Sequence, residues 1–250
     1  MKNAVLSGVK QAVGIRMVIA ILAIPVMILF SSTEKLLRVF PLFSLLPYGY
    51  HTDLIISALQ SDTVAPFIPI LAGLPFAASY VDDLKTKFAR FFCIRTSYDT
   101  YIFSRIFVCF FCGGFVIVIG VLLSWGASAL FFLPLEQAPG ATSDSAETLV
   151  QMCGLLFLFG GLWAVVGMSM STLMESKYIA YAAPFVMYYM LVILYERYFT
   201  SAFILYPLEW INPSNLWPFG NVGATVVMIE ITLAFVVLFA AKAGRRLREL

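Results

Sequence analysis

Residues 106–135 read IFVCFFCGGFVIVIGVLLSWGASALFFLPL, thirty positions without one charged side chain. A helix crosses a bilayer core in about 20 apolar residues, and a charge at its centre costs a few kcal/mol, so this run belongs in lipid. Four further windows share the property, 17–33, 63–81, 148–174 and 178–195, and a sixth, 221–241, is interrupted once by Glu230. The whole chain has the same bias. Of its 250 residues 61% are hydrophobic and 12% charged, about half the charged share of an ordinary soluble domain. Sixteen Lys and Arg with fourteen Asp and Glu would leave large apolar patches in water. The reading is an all-α polytopic integral membrane protein, one transmembrane domain over 1–250 with spans near 14–33, 63–81, 101–128, 148–174, 178–196 and 221–243. Segment 39–52 is apolar but only 14 residues long, and it carries Pro41 and Pro47. It reads as an interfacial or re-entrant piece.

Six spans put both termini on one side, and the distribution of Lys and Arg says which. Thirteen fall on the side of the termini and three, Lys35, Arg38 and Arg197, on the other. By the positive-inside rule the termini are cytoplasmic. A seventh span at 39–52 would move the cluster from Lys85 to Arg105 across and largely cancel the bias. The first apolar run has no cleavage pattern behind it, so it reads as a retained helix. No inverted repeat relates the two halves. A net charge of +2 offers no basic field for nucleic acid.

Enzyme chemistry has little to stand on. Gly167-Met-Ser-Met resembles the Gly-x-Ser of a serine hydrolase, but the one histidine, His51, falls on the outer side, and neither a buried Ser/His pair nor His-Glu-x-x-His can be assembled. Cys109 and Cys112 form a Cys-x-x-Cys inside an unbroken apolar run, which reads as packing. No catalytic residue and no metal site is expected.

Four features stand out. In the cytoplasmic segment after the second span, Leu84, Phe88, Phe91 and Arg95 repeat at helical spacing, Phe92 and Ile94 widen the apolar side, and Asp82, Asp83, Lys85, Lys87 and Arg90 form a polar one. That is a short amphipathic helix, lying on headgroups or docking in a protein groove, and charge of both signs favours the groove. The outer segment 199–220 is too apolar for a free loop. Pro207, Pro213 and Pro218 forbid one continuous helix, and Trp210 and Trp217 suit the headgroup level, so short broken helices dipping into the outer leaflet are expected. Gly160, Ala164, Gly167 and Ser171 give small-xxx-small spacings for close helix packing. Glu230, about 13 Å deep at 1.5 Å per residue, should face a neighbouring helix or a wet cavity.

The stretch around Asp82 resembles the membrane subunit of a bacterial ABC exporter of the ABC-2 permease type. Acidic Asp82 and Asp83 follow the second span, the helix 84–94 comes next, and Arg95, Thr96 and Ser97 lead to Arg105 at the third span. Where that family has a single Glu, an Asp pair stands here. The resemblance implies a separate cytoplasmic ATPase that binds ATP and Mg, docked on Asp82, Asp83, Leu84, Lys85, Lys87, Phe88, Arg90, Phe91, Phe92 and Arg95. It also implies a path between two permeases, a second copy or a related subunit, in the bacterial cytoplasmic membrane. Trp210, Asn212, Pro213 and Trp217 would then cap the path from outside and Glu230 would line it. The sequence agrees by omission, holding no Gly-x-x-x-x-Gly-Lys-Ser/Thr loop. One internal carboxylate suits an amphipathic or hydrophobic cargo such as a peptide, lipid or drug. An ion-coupled transporter or channel, and a non-transporting immunity or sensor subunit, are the alternatives.

Overall fold

The computed structural model describes residues 2–39, 46–95, 97–137, 145–214 and 217–248. Helices α1 (Lys2–Ala12), α2 (Ile15–Val39), α3 (Tyr50–Leu59), α4 (Ile68–Gly73), α5 (Ser79–Lys85), α6 (Phe88–Arg95), α7 (Tyr98–Phe132), α8 (Ser145–Met174), α9 (Ile179–Arg197) and α10 (Asn221–Arg248) make up the fold, with no strand among the described residues. Five stretches are long and apolar enough to cross a membrane: Ile15–Thr33, Tyr98–Leu135, Glu147–Met174, Ile179–Arg197 and Asn221–Arg248. The chain is a multi-pass membrane protein by that measure.

Local chemistry sets the ends of the long helices. Ser97 is extended and accepts a hydrogen bond from the Thr100 N–H, capping α7, while Asp99 sits in the first turn where the helix dipole favours it. Pro134 then turns the far end of α7 into a 3₁₀ turn, Leu133–Leu135.

Two thirds of the membrane window of α8 is buried, against about a fifth or less for α2, α9 and α10. So α8 is the axis, with α7, α9, α10 and α4 around it. Where α7 crosses α8, glycine meets glycine. A Cβ on Gly113 of α7 would lie 2.5 Å from Ala164 Cβ and 2.7 Å from the Gly160 carbonyl of α8. Gly167 of α8 likewise meets the Ala180 carbonyl and Pro184 of α9. The Cys109 thiol donates to the Ala164 carbonyl at 3.3 Å, within this same seam.

The expected second span, 63–81, is not one helix. It runs as a 3₁₀ turn (Ala65–Phe67), α4, a set of turns and α5, because Pro66, Pro69 and Pro75 each lack the N–H that a continuous ladder needs. Burial makes the breaks tolerable, since the freed carbonyls lie inside protein and not in lipid. Both ends of this segment meet the ends of α2. Ser61 is 2.8 Å from Ser31 Oγ at one end, and Asp82 is 4.0 Å from Arg16 at the other. Contacts elsewhere sort the bundle into the same two ends. Arg246 pairs with Glu175 at 2.6 Å at the basic end, and Asn221 donates to Gln151 at 3.0 Å at the opposite one.

Two helices lie outside the expected spans. Helix α1 buries Ala4 and Ala12 and exposes Leu6 and Val9. Helix α3 follows the segment expected to be interfacial; of that segment 40–45 lies outside the described residues. Glu136 caps α3. Its carboxylate accepts from the backbone N–H groups of Gly49 (3.0 Å) and His51 (2.9 Å) and lies 2.7 Å from His51 Nδ1. His51 is itself buried. Burial raises the carboxyl's pKa, but the hydrogen bonds from His51 and Gly49 outweigh it and hold the group below its ordinary 4.5. The charged form is therefore favoured by folding, and its contribution is complete above about pH 4.5 and disappears as pH falls through the lowered folded value. Glu136→Gln is expected to melt lower than the parent at pH 7 and to lose less stability between pH 6 and pH 3, which thermal unfolding in detergent at a series of pH values checks.

Candidate functional site at the basic end

Asp83 and Arg105 form an ion pair at 2.5 Å with both side chains 4% exposed. Asp83 also accepts from the Tyr101 hydroxyl at 2.6 Å and from Gln11 Nε2 at 3.4 Å, while Arg105 Nη1 donates to Gln11 Oε1 at 2.7 Å. The guanidinium lies over the rings of Phe76 and Tyr101, 5.3 and 5.1 Å from their centroids. One network thus ties α1, α5 and α7 together. Burial pushes the Asp83 carboxyl up, against the pull of Arg105 and the hydrogen bonds from Tyr101 and Gln11. Asp83, expected on the docking surface, is turned into the bundle and satisfied there.

Beyond it the expected coupling helix 84–94 is two pieces. The Thr86 hydroxyl donates back to the Asp82 carbonyl at 2.9 Å, α5 stops, and Lys87 takes a left-handed φ of 60° before α6 begins. That conformation costs a lysine about 1–2 kcal/mol, so surrounding packing holds the bend. The bend re-aims the aromatics. Ala89 is buried, and Phe92 packs inward with its ring 5.3 Å from Tyr101. Phe88 and Phe91 point out, 41% and 67% exposed. Leu84 is half-buried and Asp82 partly exposed, whereas Lys85, Thr86 and Lys87 are exposed. The expected docking surface is therefore reduced to Lys85, Lys87, Phe88 and Phe91 with Asp82 at its edge. The side chains of Arg90 and Arg95, and Thr96, lie outside the described residues.

Comparison with family models, curated proteins and solved structures gives no match.

The outer segment is broken into two 3₁₀ turns, Phe203–Leu205 and Pro207–Trp210. Trp210 and Trp217 join the core cluster of the bundle. Both are buried: Trp210 stacks on Trp163 of α8, ring centroids 6.3 Å apart at 19°, and donates its indole N–H to the Ile204 carbonyl at 2.8 Å. Glu209 organises the turn, accepting from the Ser214 N–H (2.8 Å) and the Trp217 indole (3.2 Å). Asn212 is exposed and Pro213 half-buried. The apolar rings make this segment a plug on the core, and the interior of the bundle gains more from them than a headgroup layer does.

Glu230 lies on the outward face of α10, exposed and without a hydrogen bond or ion pair among the described residues. No neighbour among the described residues satisfies it, and α10 packs on α8 and α7 with its other side. Nor is any group of His, Cys, Asp and Glu among the described residues arranged to hold a metal. Two site features escaped the sequence. Asp82 and Asp83 look alike there, and Arg105 reads as one more cytoplasmic cation, although an Arg seven positions inside an apolar helix is a signal for a buried acidic partner.

Proposed function

We propose that this chain is the permease subunit of an ATP-driven exporter of the ABC-2 type, working with a separate cytoplasmic ATPase and a second permease. The observation that carries the reading is the pair Phe88 and Phe91, exposed beside Lys85 and Lys87 on a bent helix whose root is the buried Asp83–Arg105 pair. Exposed aromatics among cations make an anchor for a protein groove. A push on α6 reaches α7 through Phe92 and Tyr101 and reaches α1 through Gln11. In this reading the broken segment 61–82 is the sixth crossing, supported by its two contacts with the two ends of α2, and the basic end faces the cytoplasm of a bacterial cell. The outward Glu230 then looks onto the second permease across a path for an amphipathic or hydrophobic cargo.

Affinity purification of the tagged protein from its native membrane tests this. An ATPase is expected to co-purify, and Phe88→Ala with Phe91→Ala is expected to release it while the permease stays folded, because both rings point away from the core. Absence of any ATPase from intact, monodisperse protein in mild detergent would end the exporter reading. The second reading is an ion-coupled carrier, favoured by the unpaired carboxylate of Glu230; it predicts proton-driven uptake in vesicles that Glu230→Gln abolishes.

A further inference from the structure

At the basic end a cleft of about 180 Å³ opens between the α1–α2 junction and the proline break ahead of α5, room for about six waters at their liquid volume. Arg16 and Asp82 stand on its walls, with Ser79, Pro75 and Phe76 between them. The two charges are 4.0 Å apart with side chains 56% and 37% exposed, a loose pair that contributes little by itself. The other contact of the guanidinium is a long 3.4 Å hydrogen bond to the Tyr181 hydroxyl. Ser79 is buried and its hydroxyl has no hydrogen-bond partner among the described residues. Leading away from the cleft, α2 carries an apolar stripe, Ile15, Ile19, Leu22 and Val26, each more than half exposed.

We propose that this cleft seats a phosphoethanolamine headgroup from a lipid of the adjoining leaflet, with the phosphate on Arg16, the ammonium on Asp82 and an acyl chain along the α2 stripe. The position fits, since Arg16 is where the first membrane helix begins. Charge decides the headgroup. A purely anionic one would bring its phosphate to Arg16 but no cation of its own to Asp82, leaving a net negative charge between the two walls. A choline ammonium has no N–H to donate, whereas a primary ammonium has three. The site rests on the membrane reading of the chain and needs no ATPase, so its failure and that of the exporter are separate results.

Native mass spectrometry of the purified, delipidated protein in mild detergent tests it, with phosphatidylethanolamine, its N-methyl, N,N-dimethyl and choline analogues of equal acyl chains, and phosphatidylglycerol. One charge-assisted hydrogen bond is worth about a factor of ten in affinity, so phosphatidylethanolamine is expected to be retained about tenfold over the choline and glycerol lipids, with retention falling once methylation removes the last N–H. Asp82→Asn and Arg16→Gln are expected to erase that preference at an unchanged melting temperature, and Arg245→Gln, an exposed cation of the same end, to keep it. Equal retention of ethanolamine and choline lipids would overturn the site, as would a preference that survives Asp82→Asn. Soluble O-phosphoethanolamine, which lacks the acyl chain, is expected not to displace the lipid at equal concentration; displacement would make a free metabolite the ligand and overturn the lipid assignment.

Discussion

Arg105→Met is expected to lower the unfolding free energy by about 3–5 kcal/mol, the usual cost of removing one partner from a buried ion pair. The loss is large because four groups depend on one guanidinium. Asp83 keeps the Tyr101 hydroxyl and Gln11 but loses its charge partner, Gln11 Oε1 loses its 2.7 Å donor, and Phe76 and Tyr101 lose the cation between their rings. Burial already raises the carboxyl's pKa, and removing Arg105 takes away the charge that pulls it down. Asp83→Leu combined with Arg105→Met is expected to recover much of the loss, since an apolar pair of similar volume often equals a buried ion pair in stability. Recovery will be incomplete, because Tyr101 and Gln11 are then left without partners. Thermal and urea unfolding in detergent of the two single variants and the double variant measure both effects. A loss under about 1 kcal/mol for Arg105→Met would show that the network does not hold α1, α5 and α7 together.

Gly113→Ala should be nearly as damaging, although it adds one methyl. Its Cβ would meet Ala164 Cβ at 2.5 Å and the Gly160 carbonyl at 2.7 Å, and a backbone carbonyl on the axial helix cannot swing aside as a side chain can. Helices α7 and α8 must then separate along the best-packed seam of the protein, at about 1–3 kcal/mol for overpacking. The control lies in the same seam's partner helix. Gly154→Ala places its Cβ in open space and should raise stability by about 0.5–1 kcal/mol, since alanine is the better helix former. Melting temperatures moving in opposite directions for the two variants would establish that glycine at 113 is there for contact. If Gly113→Ala melts like Gly154→Ala, the two helices do not touch as described.

The long spans were legible for a physical reason: lipid excludes charge over a whole helix length, so α7, α8 and α10 announce themselves by what they lack. Packing positions were legible in part. Gly160 and Gly167 do sit where helices approach, but Gly113, their counterpart, is hidden in a run where every residue is apolar. The elements that failed are those decided by one or two residues in three dimensions. Leu84, Phe88 and Phe91 keep helical period across a break made by Thr86 and Lys87, and period alone carries no record of a left-handed φ. Trp210 reads as a headgroup residue because composition cannot distinguish a surface belt from a ring stacked on Trp163. Glu230 was expected to face a neighbouring helix or a wet cavity, and among the described residues it lies exposed on α10.

The broken segment from Ser61 to Asp82 bears on how the protein is made. It has no unbroken run of helix for the insertion machinery to recognise, and each interruption exposes carbonyls that lipid alone cannot satisfy. α2 can enter the bilayer as soon as it is synthesised, whereas this segment has to wait for α7 and α8 to close around it. With that segment as the proposed crossing, biogenesis of the chain is out of register with its sequence: α7 and α8, translated later, complete it, and a ribosome halted before them leaves it unsettled.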